Sequence, residues 1–147
     1  MRIFTWIQTR FHPLWRLRRQ AWFRAFQRRF DFPVSVRTGR IRKYVLFLRD
    51  FSHVAPHAGV ERRTEECLES LLKSYRPDIF LDIGANVGSY SWIVVNHDPA
   101  VKVWLFEPDE TNVGLIRKTI AANHLESTRL FPVALSSEKG GAGIYGR

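Results

Sequence analysis

The stretch Phe80-Leu81-Asp82-Ile83-Gly84-Ala85-Asn86-Val87-Gly88-Ser89-Tyr90-Ser91-Trp92-Ile93-Val94-Val95 decides the fold. An apolar run ends at an aspartate, a glycine-bounded turn follows, and an apolar pattern then resumes. Ile79–Ile83 has the length and composition of a strand buried on both faces. The pattern predicts a helix from about Val87 to Asn96. Further along, Val101–Phe106 reads as a second buried strand, residues 110–123 as a helix with Val113, Ile116, Ile120 and Ala121 inward, and Leu130–Leu135 as a third strand. Strand and helix alternating in this way imply an α/β fold, a parallel sheet with right-handed crossovers.

Upstream, residues 61–75 (ERRTEECLESLLKSY) predict a helix with Leu68, Leu71, Leu72 and Tyr75 on one face. Arg76-Pro77-Asp78 ends it. Residues 33–52 hold two β-rich runs around Thr38-Gly39, which predicts a β-hairpin. Ala55 to Gly59 reads as a loop. From Pro13 the segment PLWRLRRQAWFRAFQRRF spaces Leu14, Trp15, Leu17, Ala21, Trp22, Ala25, Phe26 and Phe30 at three- and four-residue steps, with Arg16, Arg19, Arg24 and Arg28 mainly elsewhere. An amphipathic basic helix is expected there. The chain therefore divides into a basic arm (1–32), a hairpin and loop (33–59) and an α/β segment (60–147).

Charge follows the same division. Residues 1–49 carry 13 Lys/Arg and one acid, Asp31, whereas residues 50–147 carry 10 Lys/Arg and 13 acids. A basic arm on a near-neutral domain points to an anionic membrane surface, to nucleic acid, or to packing against protein. No recognised RNA-binding module accompanies the arginines, so nucleic acid ranks lowest. With 45% hydrophobic and 14% aromatic residues the chain can build a packed core. No run approaches the roughly 20 apolar residues of a membrane span. The arginines scattered through the first 30 residues leave no apolar core for a signal peptide, which makes the cytoplasm the expected location. The single cysteine, Cys67, excludes an intrachain disulfide and reads as a small buried apolar residue. His12, His53, His57, His97 and His124 show no metal-binding spacing and read as surface or loop residues.

The turn at the carboxyl end of the first strand lies where open α/β sheets bind ligands. Gly84 and Gly88 permit a tight turn and close approach of a ligand, and the following helix offers unpaired N–H groups. Asp82 is placed to accept from an ammonium or a water. Glu107 ends the second strand 23 residues after Gly84, the position of an acid that accepts from ribose hydroxyls, and Pro108 stops the strand there. A dinucleotide site prefers three glycines, G-x-G-x-x-G. Here the pattern is D-x-G-x-N-x-G, with Asn86 in place of the middle glycine, and no P-loop lysine follows. An adenosyl ligand without phosphates, S-adenosylmethionine, fits this better.

These residues resemble a known family. FLDIGANVGSYS, then VWLFEPDETNVGLIRKTIAANHL, then LFPVALSSEKGGAGIY, with HVAPHAGVERRTEECLESLL before them, look like the FkbM family of S-adenosylmethionine-dependent methyltransferases over residues 60–147. The resemblance implies a class I methyltransferase (Rossmann-like) fold and O-methylation of sugars, polysaccharides or natural products, with a small-molecule or glycan acceptor. By motif it assigns the cofactor to Asp82, Gly84, Ala85, Asn86, Gly88, Glu107 and Pro108, with Ala134 flanking the adenine. Members of the family continue into further strands that include an Ile-Asp-Val-Glu-Gly-like acidic motif. The sequence reaches Arg147 without it, so this reading expects an incomplete sheet, no assignable catalytic residue, and a polypeptide that is unstable or inactive alone. The rival readings are a nucleotide-dependent oxidoreductase and a membrane-peripheral or partner-binding protein with a relic adenosyl site.

Overall fold

A computed structural model of the chain describes residues 20–50, 62–137 and Gly140. Its elements are α1 (Ala21–Phe30), β1 (Pro33–Thr38), β2 (Ile41–Leu46), α2 (Arg62–Ser74), β3 (Ile79–Ile83), α3 (Ser89–His97), β4 (Lys102–Phe106), α4 (Glu110–Ala122) and β5 (Thr128–Phe131). They fall in two compact units, one within Met1–Val34 and Leu46–Val60, the other within Ser35–Val45 and Glu61–Arg147. The loop expected at Ala55 to Gly59, the helix from Pro13 to Arg19 and the strand expected in the glycine-rich tail lie outside the described residues.

In the larger unit β3, β4 and β5 form a parallel sheet in that order, with Phe80 opposite Val103 and Leu105 opposite Leu130. The α/β architecture expected from the alternation is therefore present. Two successive crossovers of one hand place α3 and α4 on the same side. There Trp92, Val94, Val95, Val103, Leu105 and Ile116 close a dry core, with Leu72 of α2 packed on it. Burial of this apolar surface is what holds the unit together.

The second face of the sheet departs from expectation. The apolar run predicts β3 buried on both faces, but only Phe80 and Asp82 point into the core, and Ile79, Leu81 and Ile83 are exposed. In β4 likewise Val103 and Leu105 are buried, while Trp104 and Phe106 are half-covered. The reason is topological. Both crossover helices lie on one side, and among the described residues nothing covers the other beyond a ladder of rings, Phe106 stacked on Phe131 at 4.9 Å and Trp104 edge-on to Phe131 at 5.7 Å.

Four further expectations need correction. In α2, Leu68 and Leu72 face the core, but Leu71 and Tyr75 form a neighbouring stripe toward solvent. Cys67 lies off the buried stripe and is exposed. In α4 the buried set is Asn112, Val113, Leu115, Ile116 and Thr119, with Ile120 at the edge of the core and Ala121 exposed. The third strand also ends early, at Phe131 rather than Leu135. Pro132 has no N–H to continue a ladder, and Val133 N–H turns back to the Phe131 carbonyl at 2.9 Å.

The hairpin forms as expected, turning at Gly39 with φ +59°. In its distal half, which belongs to the larger unit, the free edge of β2 is covered by helix ends. Asn96 Oδ1 accepts from Arg40 N–H at 2.9 Å, Asn123 Oδ1 from Arg42 N–H at 2.8 Å, and Thr119 Oγ1 from Tyr44 N–H at 3.0 Å. Alternate residues of an edge strand thus have partners that replace a neighbouring strand.

Candidate functional site

The turn after β3 is built from left-handed residues. Gly84, Asn86 and Gly88 have φ of +73°, +54° and +76°. Gly84 and Ala85 N–H both donate to the Phe106 carbonyl, at 2.9 and 3.1 Å, which ties the turn to the tip of β4. Because the turn takes up residues 84–88, α3 starts at Ser89, two residues later than the sequence predicts.

The two glycines have different tasks. Among the described residues a Cβ on Gly84 meets no atom within 4 Å, so there this backbone borders open space. A Cβ on Gly88 lies 2.6 Å from the Trp92 indole. Trp92 Nε1 donates to the Val87 carbonyl at 2.8 Å, and its ring is fully buried. Gly84 leaves room for a ligand, whereas Gly88 leaves room for a tryptophan.

Asp82 sits at the carboxyl end of β3 and is buried, but it is turned toward α3. Its Oδ2 accepts from Ser91 Oγ at 2.6 Å and from Ser91 N–H at 3.3 Å. Gly88, the residue before the helix, has no side chain to cap it, so Asp82 satisfies one of the first helical N–H groups from the strand. Burial pushes the Asp82 carboxyl above its ordinary 3.8; the Ser91 bonds pull it down, and the charge of nearby Glu107 adds to the rise.

Glu107 follows β4 directly and is 5% exposed. Its Oε2 accepts from Asn86 N–H at 2.7 Å, and its Oε1 from Asp109 N–H at 2.9 Å and Asn112 Nδ2 at 3.3 Å. Asp109 in turn caps α4 by accepting from Asn112 N–H at 2.9 Å. A carboxylate offers about four acceptor positions, so roughly one remains for a ligand hydroxyl. Asn86 takes part through its backbone, and Pro108 is half-buried beside Glu107. Ala85 is buried under the turn, and Ala134 is exposed beyond β5.

Sequence reasoning missed Ser91 and Asn112. Both are polar and fully buried in helices, and both meet a carboxylate of the site. Polar residues at inward helical positions were the available signal. Among the described residues no cluster of His, Cys, Asp or Glu is arranged to hold a metal, and His97 and His124 are exposed. A groove of about 380 Å³, lined in part by Arg40, Val95, Pro99 and His124, opens at the amino ends of β4 and β5, away from the glycine turn.

No family model matches the chain, and no curated protein does. Among solved structures it is similar to a protein from Staphylococcus aureus assigned as a caffeoyl-CoA O-methyltransferase (25% identity, 57% of this chain and 41% of that one, TM-score 0.47). It is also similar to precorrin-6y C5,15-methyltransferase from Geobacter metallireducens (21%, 52% and 41%, TM-score 0.42). A third similar structure is an S-adenosylmethionine-dependent methyltransferase from Agrobacterium tumefaciens (18%, 69% and 32%, TM-score 0.47). The chain spans less than half the length of each of these proteins.

Proposed function

We propose that the turn Gly84–Gly88 and Glu107 hold S-adenosylmethionine, and that the chain carries the cofactor-binding part of an O-methyltransferase. One observation carries this reading. The Glu107 carboxylate is fixed at the tip of β4 by the backbone of the same turn whose first glycine borders open space. An acid held rigidly beside an accessible glycine backbone matches a ribose next to a chain without phosphates.

The donor set fits the group. Glu107 has about one acceptor position left for a ribose hydroxyl. Gly84 admits the methionine portion without a Cβ in its path. Asp82 acts one step removed: its bonds to Ser91 start α3 at the right place, so the helix end and its N–H groups face the ligand side of the turn. When bound, S-adenosylmethionine supplies a methyl group on a sulfonium for an oxygen nucleophile. Within the described residues the chain's own contribution is to bind and orient.

The finer assignment is an FkbM-like enzyme acting on a sugar, polysaccharide or natural product, supported by the three sequence blocks from Phe80 to Tyr145. A cytoplasmic setting belongs to the same reading, supported by the single cysteine. Calorimetric titration tests it. The chain is expected to bind S-adenosylhomocysteine and not NAD, and Glu107→Ala to abolish that binding. Preference for NAD would mean a dinucleotide site, and binding of neither would remove the reading altogether.

A further inference from the structure

α1 and the 46–50 turn belong to the smaller unit, which contributes no residue to the proposed adenosyl site. Trp22, Phe26 and Phe30 recur at four-residue steps, so they form one stripe along the helix. They are 60%, 44% and 57% exposed. Phe26 and Phe30 rings lie 4.7 Å apart, and Phe23 stacks on Phe26. Phe32, just past the helix, is also exposed and stacks on Phe47 at 5.3 Å. The polar side of α1 is arginine. Arg24 and Arg28 project opposite the stripe and Arg29 flanks it. Among the described residues none of the three is in an ion pair.

The nearby acids do not offset this charge. Residues 20–50 hold eight Lys/Arg and two acids, Asp31 and Asp50. Asp31 accepts from the N–H groups of Phe32, Leu48 and Arg49. Asp50 accepts from Leu46 N–H and pairs with Arg49. Both acids are consumed in holding the 46–50 turn, and the outward charge is cationic.

We infer that α1 is a lipid-surface anchor, its aromatic stripe seated at the acyl boundary of an anionic bilayer and its arginines on lipid phosphate. A ring stripe opposite guanidinium groups is the arrangement that an interfacial helix requires. A second copy of the chain is a poorer occupant, because helices facing through their stripes would leave Arg24 and Arg28, on the far side, without the anionic partner that a lipid phosphate supplies. The helix is too short to cross a bilayer, and no helix among the described residues is long and apolar enough to do so. The anchor lies on the surface.

The test is co-sedimentation of the full chain with vesicles of phosphatidylcholine alone and of phosphatidylcholine with phosphatidylglycerol. The chain is expected to bind the anionic vesicles, more weakly in about 0.5 M salt. Replacing Arg24, Arg28 and Arg29 together by Gln should lower partitioning on the order of 100-fold. Trp22→Ala/Phe26→Ala/Phe30→Ala should lower it at least about tenfold. Trp22→Ala alone, at an exposed position, serves if the triple variant does not fold, and circular dichroism checks both. Equal sedimentation with both vesicle types, unchanged by the variants, would overturn the inference. So would absence of vesicle binding together with a change in oligomeric mass in the aromatic variant, which would identify a second copy as the occupant. Tighter binding to RNA than to anionic vesicles would overturn it in favour of nucleic acid.

Discussion

Asn86 and Glu107, 21 residues apart, meet through a 2.7 Å hydrogen bond from the Asn86 backbone N–H to Glu107 Oε2. This bond joins the turn after β3 to the tip of β4. The left-handed conformation of Asn86, which Asn tolerates better than most residues, is the backbone setting in which that N–H reaches the carboxylate. The same bond makes Glu107 both a ligand candidate and a structural part of the turn.

Glu107→Ala should therefore do two things. It removes the ribose acceptor, and it takes the carboxylate partner from the part-buried N–H groups of Asn86 and Asp109, at about 1–3 kcal/mol of stability. Glu107→Gln keeps an acceptor for Asn86 and should fold better while still binding S-adenosylhomocysteine more weakly. Urea unfolding alongside calorimetric titration separates the two effects. Equal affinity in wild type and Glu107→Gln would remove Glu107 from the site.

The two glycines should respond differently to alanine. Gly88→Ala drives a methyl group into the Trp92 indole at a positive φ, and should destabilise by about 2–4 kcal/mol. Gly84→Ala meets no atom, so only backbone strain of about 1–2 kcal/mol is expected. Its methyl group would, however, stand in the ligand's space and cut S-adenosylhomocysteine affinity by about tenfold or more. Thermal melts with and without S-adenosylhomocysteine check the contrast.

Asp82 should give the fold a pH signature. Its folded carboxyl titrates above the 3.8 of the unfolded chain, so the folded state holds this proton more tightly. The stability that this difference contributes is fully present below the unfolded value, and it is lost as pH rises through the folded one. Asp82→Asn removes this dependence and leaves an amide oxygen for Ser91. The stability difference between wild type and Asp82→Asn, measured by urea unfolding at about pH 4 and about pH 7, should move against the wild type on going to the higher pH. Parallel behaviour would show that the carboxyl is not raised.

Asn123→Ala should loosen the hairpin. The Asn123 side chain accepts from Arg42 N–H and donates to the carbonyls of Arg42 and Thr119. A loss of about 1–3 kcal/mol is expected. Hydrogen exchange should speed up at Arg42 and its neighbours in β2 and leave β4 protected.

Much of this was legible in the sequence. The order of β3, α3, β4, α4 and β5 follows from apolar periodicity and the placing of Gly84, Gly88 and Pro108, because local sterics and burial act on short segments. The candidate acids were legible too, since a carboxylate at a strand end stands out against an apolar run. Tertiary structure decided the rest. Only the shared side of the two crossovers determines that Phe80 is covered while Leu81 is not, and that Leu72 is buried while Leu71 is not. Only the packed turn shows Asp82 bound to Ser91 and Glu107 to Asn86 and Asn112. Only docking of Trp92 separates the task of Gly88 from that of Gly84. Periodicity tells which residues share a face, but which face is buried depends on neighbours distant in sequence, and a polar side chain's partner depends on where those neighbours come to rest.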